Sequence, residues 1–184
     1  MNAVPRSRST DQRYYGVAEA LVTDVNDPQK LGRVKLKFPW FDPNMESEWC
    51  RVRQFYAGND YGAFFIPEVG DEVLVSFIHG DMRLPIILGG LYNGKDKPPS
   101  HRANDKDEKM IRTKGGHQII LDDTSGSEKI SIIDANGNNS IVIDTVGNSI
   151  TVKASNGKLV FEALSIEMTA QAEIKIKGAT VNIN

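Results

Sequence analysis

A repeated alternation of polar and apolar residues runs through residues 110–184 and constrains the fold of this chain more than any other feature. Two apolar residues separated by one other residue recur seven times, and successive pairs start 11, 9, 9, 7, 8 and 7 residues apart. This alternation predicts short β-strands with one apolar face, and Asn-Gly or Gly-Asn turns lie between the early pairs. The pairs are Ile130/Ile132, Ile141/Ile143, Ile150/Val152, Leu159/Phe161, Ile166/Met168, Ile174/Ile176 and Val181/Ile183.

A repeat with so few apolar residues in each unit is not expected to be stable as a single chain. Each unit supplies only two inward side chains, and a lone ribbon of such strands would keep open edges and one wet face. Three chains wound together would pair those edges and bring the apolar pairs onto one axis. We therefore expect an intertwined trimeric β-helix, or β-prism, with all fourteen paired residues in its core. An ordinary meander sheet packed on the preceding domain stays open as an alternative; the polar outer positions Lys153, Glu167, Lys175 and Lys177 argue against it.

Residues 14–97 have the pattern of a small β-barrel. Val34, Leu36 and Phe38 alternate with three basic residues, which indicates a strand with one face in a core. Further strands are predicted over 16–25, 49–55, 73–78 and 86–91, and turn residues separate them. Five short strands in some 80 residues favour a barrel of the oligonucleotide/oligosaccharide-binding (OB) type. The fold is therefore predicted to be all-β.

Two further segments complete the predicted organisation. Residues 1–13 are polar and aperiodic, so we expect a flexible N-terminal arm, and residues 98–109 (PPSHRANDKDEK) have the composition of a linker. The formal net charge of −2 argues against a general nucleic-acid binder. No membrane-length apolar run and no secretory signal are present in the sequence. A single cysteine excludes an intrachain disulfide and fits assembly in a cytoplasm.

Candidate catalytic and metal-binding groups are sparse. Cys50 is predicted to be a buried thiol, because no catalytic histidine context accompanies it. Adjacent strand residues point to opposite faces, so Asp122 and Asp123 are not expected to act as a pair. The segment 134–138 lacks the later glutamate of a calcium loop and is predicted to be a turn. His79 and His117 are assigned structural roles. We expect no enzyme activity, cofactor or metal.

An ordered set of short motifs resembles the OB-fold family of baseplate assembly protein V and VgrG tail spikes. No single motif is specific, but their order is, and the likeness covers about residues 14–184. The motifs are Asp27-Pro28-Gln29-Lys30-Leu31-Gly32-Arg33-Val34, Phe38-Pro39-Trp40, Trp49-Cys50-Arg51-Val52, Ala57-Gly58, Tyr61-Gly62, Pro67-Glu68-Val69-Gly70-Asp71-Glu72-Val73, Gly80-Asp81, Pro85-Ile86-Ile87-Leu88-Gly89, Gly115-Gly116-His117 and Leu121-Asp122-Asp123.

The resemblance implies a homotrimeric central spike of a phage tail or contractile injection system, driven mechanically into a target membrane. It implies a separate hub protein and baseplate proteins above the barrel. The repeat continues through Thr180, Val181, Asn182, Ile183 and Asn184 without the paired histidines of metal-capped spikes, so a PAAR-like tip protein is expected to bind there.

Two other functions stay open. The first is a free OB module that binds single-stranded nucleic acid or oligosaccharide on Tyr56, Tyr61, Phe64 and Phe65. The second is an enzyme acting on cell-wall glycan, for which no paired-carboxylate domain is visible.

Overall fold

The computed structural model describes residues 13–100 and 107–182. The chain divides into two compact units between Pro98 and Pro99. The predicted arm lies outside the described residues except for Arg13, and so do residues 101–106 of the predicted linker and the C-terminal Ile183 and Asn184. None of the helical segments in the described ranges is long and apolar enough to cross a membrane.

Within its described residues, 13–98, the first unit is built from eight strands. They are β1 (Val17–Asp24), β2 (Lys35–Phe38), β3 (Asp42–Glu46), β4 (Arg51–Val52), β5 (Ala57–Gly58), β6 (Tyr61–Gly62), β7 (Glu72–Phe77) and β8 (Pro85–Gly90), with one 3₁₀ turn at Ile78–Gly80.

Strand pairing closes the first unit into a barrel. β1 pairs with β2 on one side and β7 on the other, β7 pairs with β8, and β8 pairs in parallel with β4. An antiparallel bridge between Val34 and Cys50 joins the start of β2 to β4 and completes the circuit β1–β2–β4–β8–β7–β1. Five strands closed in this way form a Greek-key barrel of the OB type, as the sequence predicts.

The barrel core follows the predicted alternation. Leu36 and Phe38 of β2 point inward, as does Val34 just before it, and Val73, Val75 and Phe77 point inward from β7. Burial of these side chains is the main stabilising term of the barrel. The remaining core residues are Ala18, Ala20, Val22, Cys50 and Ile87. One predicted strand is shorter than expected: of residues 49–55 only Arg51–Val52 is strand. The Arg53 N–H still donates to the Ile87 carbonyl oxygen at 2.9 Å, and the chain then leaves the barrel wall for the β5–β6 hairpin.

The second unit begins as an antiparallel meander. Its strands are β9 (Glu108–Arg112), β10 (Gln118–Asp122), β11 (Lys129–Ile133), β12 (Asn139–Asp144) and β13 (Ser149–Ala154), each paired with the next. The predicted turn at Asn136-Gly137 separates β11 from β12, where Gly137 has φ 71°. Residues 158–182 contain no assigned strand.

Candidate assembly surface

One face of the β9–β13 sheet is lined by apolar side chains from every strand. Ile132 lies opposite Ile119 on one neighbouring strand and opposite Ile141 on the other. Ile143 likewise lies opposite Ile130 and Ile150. Because directly paired residues share a face, the register gathers these side chains into two rows. The apolar face comprises Ile111, Ile119, Leu121, Ile130, Ile132, Ile141, Ile143, Ile150 and Val152.

This apolar face is open rather than buried. The six predicted core residues on β11–β13 are 41–73% exposed, whereas Ser131, on the opposite face, is only 4% exposed. An ordinary single-chain domain buries its apolar face. The face forms part of a groove of about 690 Å³ whose apolar lining includes Ile111, Ile119, Ile132, Ile141, Val152 and Leu159. Contiguous exposed apolar surface of this kind marks an interaction site.

The extended segment, residues 158–182, also carries exposed apolar side chains, but it forms no sheet. Its large apolar side chains are at least half exposed, and Leu164 is fully exposed. The backbone of this segment makes no hydrogen bond within the described chain. Its one hydrogen bond among the described residues joins Lys175 Nζ, the donor, to Glu173 Oε2 at 3.0 Å. Extended backbone with alternating apolar residues and free N–H and C=O groups is complementary to the edges of other strands.

The predicted core residues therefore fall into two groups. Ile130, Ile132, Ile141, Ile143, Ile150 and Val152 lie together on the apolar face of the sheet. Leu159, Phe161, Ile166, Met168, Ile174, Ile176 and Val181 lie exposed along the extended segment, and Ile183 lies outside the described residues. Of the predicted tip-binding residues, Thr180, Val181 and Asn182 are exposed, and Asn184 with Ile183 lies outside the described part.

Three members of the apolar face are absent from the predicted core: Ile111, Ile119 and Leu121. In Gln118–Asp122 the run Ile119-Ile120-Leu121 is continuously apolar, which hides the alternation. Only the register of the folded sheet identifies them: Ile119 and Leu121 lie directly opposite Ile132 and Ile130, and Ile111 lies opposite Ile119.

The buried thiol of Cys50 has the properties expected of a structural residue. It is 2% exposed, and burial raises the pKa of the thiol to about 11. Its Sγ donates to the Glu48 carbonyl oxygen at 3.0 Å. A thiol held in its protonated form is a poor nucleophile.

The carboxylates and histidines considered above form no cluster that could hold a metal ion among the described residues. Asp122 is buried while Asp123 is exposed, as their opposite orientations predict. Asp134 accepts hydrogen bonds from the backbone N–H and side-chain amide of Asn139, and the Gly137 N–H donates to the Asp134 carbonyl oxygen, so this segment is a turn. His79 lies in the 3₁₀ turn with φ 51°, and His117 is exposed just before β10.

The aromatic residues of the alternative binding hypothesis lie on and around the β5–β6 hairpin. The rings of Tyr56 and Tyr61 lie 5.4 Å apart, and Phe65 lies 6.2 Å from Phe55. All four rings, and that of Phe64, are more than half exposed. The structure therefore brings the four predicted aromatics to one part of the barrel, with Phe55 as a fifth.

Comparison with known proteins places the barrel in a defined class. Residues 18–92 match the family described as the type VI secretion system/phage-baseplate injector OB domain, which spans the strands from β1 to β8. Over these residues the barrel is therefore similar to injector OB domains.

Individual relatives agree with this class. The chain is 39% identical over 109 residues to the type VI secretion system spike protein VgrG3 of Vibrio cholerae, covering 54% of this chain and 11% of the relative. It is 36% identical over 115 residues to the spike protein VgrG1c of Pseudomonas aeruginosa, covering 56% and 16%. It is also 38% identical over 108 residues to the actin cross-linking toxin VgrG1 of Vibrio cholerae, covering 54% and 10%. Over the matched residues the chain is VgrG-like, and it spans only between a tenth and a sixth of the length of these relatives.

Proposed function

We propose that this chain is a structural spike of a contractile injection system or phage tail baseplate, and that it works as a homotrimer. The observation that carries the proposal is the open apolar face of β9–β13, which continues into the unpaired extended segment. Both features are unfavourable for a single chain in water, since apolar surface stays hydrated. Both gain partners if three copies meet along one axis. The similarity to proteins named as type VI spikes supports the same assignment.

The proposed trimer assigns different hydrogen-bonding to the two parts of the second unit. Residues 108–154 already pair their strands within one chain, so association there buries side chains. Residues 158–182 have no such pairing, so their backbone groups would bond to neighbouring chains. A closed arrangement of this kind has no free strand edge. Stiffness under axial load is what a needle requires, and no reacting group is needed for it.

The proposed partners follow from this role. A hub protein and baseplate proteins would hold the barrel end, and a PAAR-like tip protein would bind the segment from Thr180 to Asn184. The exposed apolar side chain of Val181 supports the second contact. The spike would be assembled in the bacterial cytoplasm and would act on the target membrane mechanically, without enzyme activity of its own.

The solution mass of the purified chain tests this proposal. Light scattering should give about 61 kDa, three times the 20.3 kDa of one chain. Hydrogen exchange on the same sample should show slow amide exchange over residues 158–182, because those amides are bonded only in the assembly. A monodisperse 20.3 kDa species, or a trimer whose 158–182 amides exchange freely, would overturn the intertwined spike.

A further inference from the structure

The outer face of the barrel between β2 and β4 has an unusual set of side chains. Because Val34 and Cys50 are antiparallel partners with buried side chains, their neighbours point outward. Lys35 therefore lies opposite Trp49, and its Nζ is 5.4 Å from the centre of the indole ring. By the same register Arg33 lies opposite Arg51, and Arg53 follows on the same face. This wall of the barrel is basic and carries an aromatic side chain.

An aromatic loop, residues 55–65, continues from the end of this face. Its Phe55, Tyr56, Tyr61, Phe64 and Phe65 rings are between 52% and 78% exposed. The loop is held in place rather than free. The Gln54 side-chain amide donates to the Phe65 carbonyl oxygen at 3.0 Å and accepts from the Phe65 N–H at 3.2 Å.

The aromatic loop also reaches the turn before β2. A Cβ added at Gly32 would lie 3.2 Å from the Phe64 ring, so this ring packs directly on the turn. The neighbouring Leu31 is 66% exposed. The loop, the turn and the basic wall therefore form one continuous surface.

The charges on this surface are of two kinds. Arg33 is neutralised by Asp27, and Lys35 by Glu46. Lys30, Arg51 and Arg53 are exposed and have no ion-pair partner within residues 13–100 and 107–182. Three cations without counter-charges thus lie in the turn and along the wall that border the exposed aromatic rings.

This composition is that of a protein–protein interface. Aromatic residues and arginine are enriched at the energetic centres of interfaces, where they combine large contact area with directional hydrogen bonds. A nucleic-acid partner fits less well, because residues 14–97 contain nine Lys and Arg against twelve Asp and Glu. Burying the three cations against an apolar partner would cost free energy unless that partner supplies carboxylates.

We propose that the aromatic loop, together with Lys30, Arg51 and Arg53, is the docking surface for an acidic segment of a second protein. The aromatic rings would supply the buried area, and the cations would select the partner through its carboxylates. The identity of this second protein rests on the spike proposal. In a spike, it is the hub or a baseplate component.

Site-specific photo-crosslinking in the producing cells tests this inference. Benzoylphenylalanine is placed at Tyr61 or Phe64, and at Tyr92 as an equally exposed control outside the surface. Positions 61 and 64 should crosslink to one other protein through a segment rich in Asp and Glu, and position 92 should not. The double variant Arg51→Glu/Arg53→Glu should lower the yield at least about tenfold. Changing two carboxylates of the crosslinked segment to Lys should restore it.

Controls separate this inference from the spike proposal. The matched variant Lys95→Glu/Lys97→Glu changes two exposed lysines in the same unit and should leave the crosslink unchanged. The mass of Arg51→Glu/Arg53→Glu, measured by light scattering, should equal that of the unmodified chain. A trimer without the crosslink overturns only the docking surface, whereas a monomer with the crosslink overturns only the spike.

Three other results would overturn the docking surface. The first is a crosslink to another copy of this chain, and the second is a crosslink that survives the charge reversal. The third is salt-sensitive binding of a labelled single-stranded oligothymidine that the charge reversal abolishes, since this would assign the surface to nucleic acid.

Discussion

Asp27 and Arg33 form a two-point ion pair inside the turn that enters β2. The Arg33 Nη2 donates to Asp27 Oδ1 at 2.7 Å, and its Nε donates to Oδ2 at 2.9 Å. The same carboxylate accepts the backbone N–H groups of Gln29 and Leu31. One buried side chain thus fixes both the shape of the turn and the position of Arg33, and it supports Gly32, against which the aromatic loop packs.

Replacing this carboxylate should destabilise the barrel. We expect Asp27→Asn to lower the melting temperature by at least about 5 °C, because the amide leaves Arg33 and part of the turn without acceptors. Circular dichroism at pH 7 measures the change. The control is Asp81→Asn, which removes the exposed pair with Arg83 and should shift the melting temperature by less than about 2 °C. Equal shifts in the two variants would contradict the structural role of Asp27.

The same pair predicts how stability depends on pH. The Arg33 guanidinium holds the pKa of Asp27 well below its ordinary value of 3.8. Because the folded-state pKa is depressed, the pair stabilises the fold above pH 3.8 and loses this effect as the pH falls below it. Melting temperatures between pH 6 and pH 2.5 should therefore fall less steeply for Asp27→Asn than for the unmodified chain. Parallel curves would show that other carboxylates govern acid unfolding.

Cys50 should be inert in the folded protein. Burial raises its thiol pKa from 9.0 to about 11, and the thiolate is the reactive form. We expect labelling by a thiol reagent at pH 8 to be at least about 100-fold slower in the folded chain than in urea. Absorbance of the released chromophore measures the rate. Rapid labelling under native conditions would mean that the wall between β2 and β4 opens readily.

Much of the barrel could be predicted from the sequence, because each strand buries alternate residues. Val34, Leu36 and Phe38 therefore identify their own strand and its inward face. The pairing of Val34 with Cys50 could not be predicted in this way, since the 15 residues between them carry no register signal. The basic wall was missed for the same reason: Arg51 and Trp49 join Arg33 and Lys35 only through that bridge.

In the second unit the sequence predicts the apolar residues but not the strand pairing. Its alternation locates the apolar pairs, but local sequence does not say which pairs bond within one chain. Asn-Gly and Gly-Asn turns accompany the paired strands up to Ala154, whereas Gly178 is the only glycine after Gly157. Loss of tight turns coincides with loss of intrachain pairing, because a hairpin needs a turn that reverses the chain.

A polar substitution on the apolar face should break the proposed trimer. We expect Ile141→Asp to convert a species of about 61 kDa into one of 20.3 kDa, because an uncompensated carboxylate in a shared core is costly. The matched control is Ser140→Asp, the preceding residue of β12, which points to the opposite face. Light scattering measures both masses. If the two variants behave alike, the apolar face is not the contact between chains.

Removal of the extended segment should distinguish association through the apolar face of the sheet from association through the backbone hydrogen bonds of residues 158–182. A chain ending at Ala154 keeps every strand of the β9–β13 sheet, so we expect it to retain its β-sheet circular dichroism. It would lose the proposed interchain backbone bonds of residues 158–182. Dissociation should therefore occur on dilution at a concentration at least about 100-fold higher than for the full chain, since each lost interchain bond weakens the assembly. Sedimentation over a dilution series measures this concentration. An unchanged value would place all of the association energy in the sheet and leave the extended segment free for another partner.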